Sequence, residues 1–146
     1  LQEKYPQLQS GIDQDKEAVK IVNLFKQNHF QMVIATNPLF PEFAILERIR
    51  WAGLNPEDFA MITTYENMHY SKPSLGYYQE ILEKTAIISE SALMIGNDVQ
   101  EDIIAKKLGI ETYLVENYKI DRGTRDITPD WSGSLKELRK YIQEKL

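Results

Sequence analysis

The chain has 146 residues, enough for one domain with its own core, and its 42% hydrophobic and 27% charged residues are those of an ordinary globular protein. A net charge of −5 argues against a nucleic-acid-binding face, and the lack of cysteine excludes disulfides and thiolate metal sites. No apolar run reaches membrane-spanning length, so neither nucleic acid nor membrane is expected as a partner, and a cysteine-free chain fits a reducing, cytoplasmic compartment.

The opening residues 1–16 are polar and without period, and they read as a connection arriving from elsewhere. From Glu17 the residues Ala18, Ile21, Val22 and Phe25 fall at helical spacing, with Asp13 or Asp15 placed to cap. "MVIAT", 32 to 36, is a continuous apolar run ending in small polar residues, the pattern of a strand buried on both faces. Pro41 opens a second helix that Phe43, Leu46 and Ile49 carry to a stop at Gly53. A second strand is predicted over 59–64. A third helix follows, with Pro73 at its first position and Leu75, Tyr78 and Leu82 on one stripe. Residues 92–95 form a third strand, Ile103 to Leu108 a helix ending at Gly109, and 111–115 a fourth strand. A polar stretch then leads to a last amphipathic helix from Ser134. Lys106-Lys107, an adjacent basic pair, reads as a solvated edge.

Strand and helix alternating over short links predict an α/β fold, a three-layer, Rossmann-like and mostly parallel sheet. Ligands of such sheets bind beyond the C-terminal ends of the strands. The positions to inspect are therefore Thr36-Asn37-Pro38, Thr63 to Tyr65, and Asn97-Asp98 with Asp102.

Asp98 and Asp102 are four apart, and a helical turn after Asp98 puts them on one side. Oxygen ligands of this kind suit Mg²⁺, which takes one or two carboxylates and completes its shell with water and phosphate. The plainer account is that Asp98 caps a helix and Asp102 is a first-turn acid. An EF-hand is excluded, because its ligand ladder and central glycine are absent. Lys72, just before Pro73, places an ammonium near a helix N-terminus, which is favourable when an anion is bound there. Alone it is an ordinary loop lysine. Thr36 alone satisfies a local backbone group, and Asn37-Pro38 alone starts a turn. Together, a hydroxyl, an ammonium and two acids on successive strand ends make chemistry for a phosphoryl group.

The order "VIATN", "YSKPS", "LMIGNDVQED" resembles motifs two, three and four of the haloacid dehalogenase-like (HAD) phosphohydrolases, and the resemblance runs from about Ile12 to the C-terminus, with "WAGL" and "ITTYENMHYSKP" included. It implies that Thr36 hydrogen-bonds a phosphoryl oxygen and that Asn37 contacts a small phosphorylated substrate. Lys72 would stabilise the phosphoryl group and orient the nucleophile, and Asp98 with Asp102 would bind or support Mg²⁺. Asn97 occupies the place where a gapless match expects Asp. Asp98 is the preferred acid, because Asn is the poorer ligand and Asp98 keeps a three-residue interval to Asp102. His69 and Tyr70 precede Lys72 and read as loop-packing residues.

The family's first motif, Asp-x-Asp after an apolar strand, supplies the nucleophile and the acid/base. The one Asp-x-Asp here, Asp13-Gln14-Asp15, follows no strand and reads as a helix cap. A strand of the family's sheet is missing with it, which would leave strand edges open to association. The expectation is one partial HAD-like core domain over residues 1–146, from the C-terminal part of a longer Mg²⁺-dependent phosphatase. On its own it is expected to turn nothing over, and its sheet would be completed by the missing N-terminal segment or a second copy. The rival is a non-catalytic HAD-derived binding or assembly module. A receiver-like fold would need an early acidic cluster, which the sequence does not have.

Overall fold

The structure, a computed structural model, describes residues 15–123 and 127–146, so Asp13 and Gln14 lie outside it. The chain is α/β with parallel sheets, as the alternation predicts. It forms two compact units, Leu1–Met68 with Arg139–Leu146, and His69–Leu138.

In the first unit, helix α1 spans Lys16–Gln27 and is capped by Asp15, whose Oδ1 accepts from the N–H groups of Glu17 and Ala18 at 3.0 and 3.2 Å. Strand β1, Val33–Ile34, leads to helix α2, Glu42–Trp51, which buries Ala44, Ile45, Ile49 and Trp51. The helix ends as predicted at Gly53, whose φ of 84° is open to glycine at little cost. Strand β2, Met61–Ile62, pairs in parallel with β1, Val33 opposite Met61.

Both strands are shorter than the predicted 32–36 and 59–64. Single bonds extend the pairing, from Ala60 N–H to the Met32 carbonyl and from Thr63 N–H to that of Ile34. Beyond these the Thr63 side chain replaces the ladder. Nor are β1 and β2 buried on both faces, since all their residues are half-buried. A two-stranded sheet consists of two edges, so neither strand is covered by neighbours on both sides.

In the second unit, helix α3 spans Leu75–Thr85, with Ser74 as cap accepting from Gly76 N–H. Pro73 therefore precedes the helix rather than opening it, because the Ser74 hydroxyl is the better cap. The buried stripe is Tyr77, Tyr78 and Ile81 rather than Leu75, Tyr78 and Leu82. Strand β3, Leu93–Gly96, pairs in parallel with β4, Glu111–Val115, and β4 with β5, Trp131–Gly133. Strand β5 was not predicted. In the order β3-β4-β5 only β4 is central, and it alone is buried along nearly its whole length.

The predicted helix at Ile103–Leu108 is a 3₁₀-helix. Gly109, at φ 87°, stops it after six residues, too few for α-helical hydrogen bonds to accumulate. Val99, Ile103 and Leu114 form a core cluster with Ile127 against it. Burying a side chain such as Ile103 stabilises by about 1.5–3 kcal/mol. The last helix, α4, spans Leu135–Lys145 and begins as predicted, with the Ser134 hydroxyl accepting from Glu137 N–H at 3.0 Å.

Candidate functional site

The second unit gathers Lys72, Asp98 and Asp102 around the end of β3. The strand stops at Gly96 for a steric reason. A Cβ there would lie 2.4 Å from both Cβ and Oδ2 of Asp102, so only glycine lets that side chain tuck against the strand end. Asp102 Oδ2 then accepts from the N–H groups of Asn97 and Asp98, each at 3.1 Å. Its Oδ1 accepts from Lys72 Nζ at 2.5 Å, and both side chains are 7% exposed. The Lys72 ammonium also stands 5.8 Å from the centre of the Tyr77 ring.

Residues 99–102 form turns rather than a regular helix, so Asp98 and Asp102 do not act as two acids of one helical face. Asp98 Oδ1 accepts from Gln100 and Glu101 N–H at 3.1 and 2.9 Å, the local capping role that its residue type favours. Both Asp98 oxygens also accept from Arg122 Nη1 at 2.7 Å. That bond raises the Arg122 guanidinium further above its ordinary pKa. Nearby, the Tyr78 hydroxyl donates to the Glu101 carbonyl. Burial first, then the charge of Asp102, pushes that phenol upward, so it stays a neutral donor.

The arrangement does not fit a divalent cation as it stands. Every oxygen of the two carboxylates already accepts hydrogen bonds, and two acids face two cations. No cluster of three or more His, Asp or Glu residues suited to a metal occurs among the described residues. Asp102 is committed to Lys72 and two backbone amides, while Asp98 is committed to the half-exposed Arg122. Asn97 turns its amide onto the Tyr118 carbonyl at 2.8 Å.

Thr36 and Asn37 belong to the first unit. Thr36 N–H donates to Thr63 Oγ1 at 2.9 Å, and the Thr63 hydroxyl donates to the Thr36 carbonyl at 2.7 Å. The Thr36 hydroxyl donates to the Thr63 carbonyl at 3.3 Å, a long bond within a neutral corner. The Asn37 carbonyl accepts from Leu39 N–H at 2.8 Å, closing a tight turn.

His69 does not turn toward Lys72. Its N–H and Nδ1 both meet Glu80, at 2.8 and 2.5 Å. Burial pushes the Glu80 carboxyl up, but hydrogen bonds from His69 and Lys84 outweigh it and bring it down to about 2. Tyr70 packs its ring over Gly76.

Sequence reasoning marked Thr63 as a strand-end position but missed Arg122 and Gln100. Arg122 lies in the polar stretch beyond the 3₁₀ turn Glu116–Tyr118 that follows β4, where no sequence signal marks it.

The profile of the haloacid dehalogenase-like hydrolases matches residues 12–115. No curated protein sequence matches the chain significantly. Among solved structures it is similar to YfnB of Bacillus subtilis bound to magnesium, at 24% identity and TM-score 0.72, over 88% of this chain and 55% of that one. It is similar to a HAD phosphatase of Thermococcus onnurineus, at 20% identity and TM-score 0.78, over 97% of this chain and 63% of that one. A 2-haloacid dehalogenase of Pseudomonas syringae pv. tomato gives 19% identity and TM-score 0.66, over 90% of this chain and 54% of that one. The chain thus spans between half and two thirds of the length of these three proteins. With its parallel α/β fold and a family match across most of its length, the chain belongs to the haloacid dehalogenase-like hydrolases.

Proposed function

We propose that this chain forms the phosphate-handling part of a phosphomonoester hydrolase. The observation that carries the proposal is the buried Lys72–Asp102 pair at the end of β3. A cation held this firmly is preorganised for charge that develops on a transferring phosphoryl group. Lys72 would take a phosphoryl oxygen and Asp102 would position Lys72. Mg²⁺ is the cofactor proposed for the whole enzyme, although at this corner the oxygens of Asp98 and Asp102 are taken by Arg122, Lys72 and backbone amides.

A covalent phosphoryl intermediate also needs a nucleophilic carboxylate at a strand end. The only Asp-x-Asp of the sequence reaches into α1, where Asp15 caps the helix. We therefore place the nucleophile on another segment, because a second copy of this chain would bring the same residues and no other Asp-x-Asp. β1 pairs with β2 alone and β3 with β4 alone among the described residues, and such an edge is where a further strand adds.

p-Nitrophenyl phosphate with Mg²⁺ tests the assignment. The chain alone is expected to give no turnover, while inorganic phosphate is expected to bind it and to be lost in Lys72→Met. Turnover by this chain, abolished in Lys72→Ala and Asp98→Ala, would overturn the expected inactivity. Phosphate binding unaltered by Lys72→Met would remove Lys72 from the site. The second reading, a non-catalytic module, draws support from the pairing of both carboxylates with protein cations. It predicts that phosphate does not bind at all.

A further inference from the structure

Helix α3 and the loop before it build a second cluster of polar groups, centred on Glu80. Both oxygens of the Glu80 carboxylate, which is 9% exposed, meet one residue. Oε1 accepts from His69 N–H at 2.8 Å and Oε2 from His69 Nδ1 at 2.5 Å. Lys84, one turn further along α3, brings its ammonium to the same Oε2 at 3.1 Å. Tyr70, packed over Gly76, ties the loop to the helix beside this contact. The His69 ring is thereby held in place although its side chain is 80% exposed.

The carboxylate also decides which nitrogen of that ring carries the proton. Glu80 is ionised at neutral pH and can only accept, so in the neutral imidazole the proton sits on Nδ1. Nε2, on the far edge of the ring, then presents its lone pair to water. A nucleophilic nitrogen, a carboxylate that orients it and a neighbouring cation stand together, which is the make-up of an activated nucleophile. We propose that His69 is a phosphoacceptor that takes a phosphoryl group on Nε2 from a small anionic phosphoryl donor, with Glu80 as its positioning residue. In this step the Nε2 lone pair forms the N–P bond while the bond from phosphorus to the leaving group breaks, its electron pair departing with that group. The proton stays on Nδ1, so the ring becomes an imidazolium. Glu80 stabilises that charge where it develops. The Lys84 ammonium offsets the negative charge of the donor and so favours it over a neutral reagent.

The inference uses neither Lys72 nor Asp102, so the outcome with p-nitrophenyl phosphate does not decide it. His29, the second histidine of the chain, is exposed and has no carboxylate partner among the described residues, which makes it an internal standard. The whole chain is treated with phosphoramidate at neutral pH, ammonia being the group that leaves. Phosphorylation of the two histidines is followed by ³¹P NMR and peptide mass spectrometry. His69 is expected to react about tenfold faster than His29, less than an enclosed acid–base pair contributes because water screens this one. Glu80→Gln keeps an oxygen for the ring but no charge, and should bring His69 down to the rate of His29. Lys84→Gln should slow His69 about threefold, as for loss of a half-exposed charge. The variants are compared at matched circular dichroism. Equal rates at the two histidines of the parent would overturn the proposal. So would an advantage of His69 that survives Glu80→Gln, since exposure alone would then explain it. A rate untouched by Lys84→Gln would overturn the choice of an anionic donor, and with it the phosphoryl assignment.

Discussion

At the end of β3 the chain turns around two buried carboxylates, each met by a cation; at the end of β1 it turns on two threonines that exchange hydrogen bonds without any charge. Both corners close a strand end and both satisfy their backbone groups. They differ in what happens when one partner is taken away. A neutral corner loses a hydrogen bond or two. An ionic corner keeps a charge that the protein interior cannot solvate.

The largest effect should therefore come from Asp102→Ala. It removes the carboxylate that balances the Lys72 ammonium, together with the acceptor for two backbone N–H groups. Urea unfolding should show a loss of about 3–5 kcal/mol, the usual result of breaking a buried pair on one side. Replacing both members, Lys72→Met with Asp102→Asn, should recover most of it, because the Asn oxygen can take the place of Oδ2 and accept from both amides while no lone charge remains. If the double variant is as unstable as Asp102→Ala, the packing of this corner matters more than its charge.

Thr63→Val probes the neutral corner and should cost less. The variant keeps the shape of a side chain that is fully buried but deprives Thr36 N–H of its acceptor and the Thr36 carbonyl of its donor. The expected loss is about 1–2 kcal/mol, that of leaving buried polar groups unsatisfied. A loss as large as that of Asp102→Ala would erase the contrast between the corners.

Much of this was legible in the sequence where a single residue type carries the geometry. Asp15 as a cap, Gly53 and Gly109 as helix stops and the helix start at Ser134 each follow from local chemistry, and the structure has all of them. What depends on distant partners was not legible. β5 is three residues without alternation, and its strand character comes from β4 offering an edge. The depth of the strands went wrong because burial follows position in the sheet, and sheet order is not written in an apolar run. Arg122 lies 24 residues from Asp98 in a polar stretch, and only the folded chain brings the two together. The carboxylates themselves were easy to find; that their oxygens are already taken was not.

The smallest expected effect concerns a third acid, Glu80, and shows how solvent weakens an ionic contact. Its carboxyl titrates near 2 instead of its ordinary 4.5, so folding favours the charged form. The stabilisation is fully present above about pH 4.5 and is lost as the pH falls toward about 2. Unlike Lys72, its partners stand in water: the side chain of His69 is 80% exposed and that of Lys84 41%. Screening should leave a difference on the order of 1 kcal/mol between the parent and Glu80→Gln at pH 5.5. Urea unfolding at steps from pH 5.5 to pH 2.5 should show the gap closing with acidification, as the parent carboxylate takes up its proton. A gap that stays constant over that range would assign the contribution of Glu80 to packing rather than charge, and the contrast between dry and wet ion pairs would then rest on Asp102 alone.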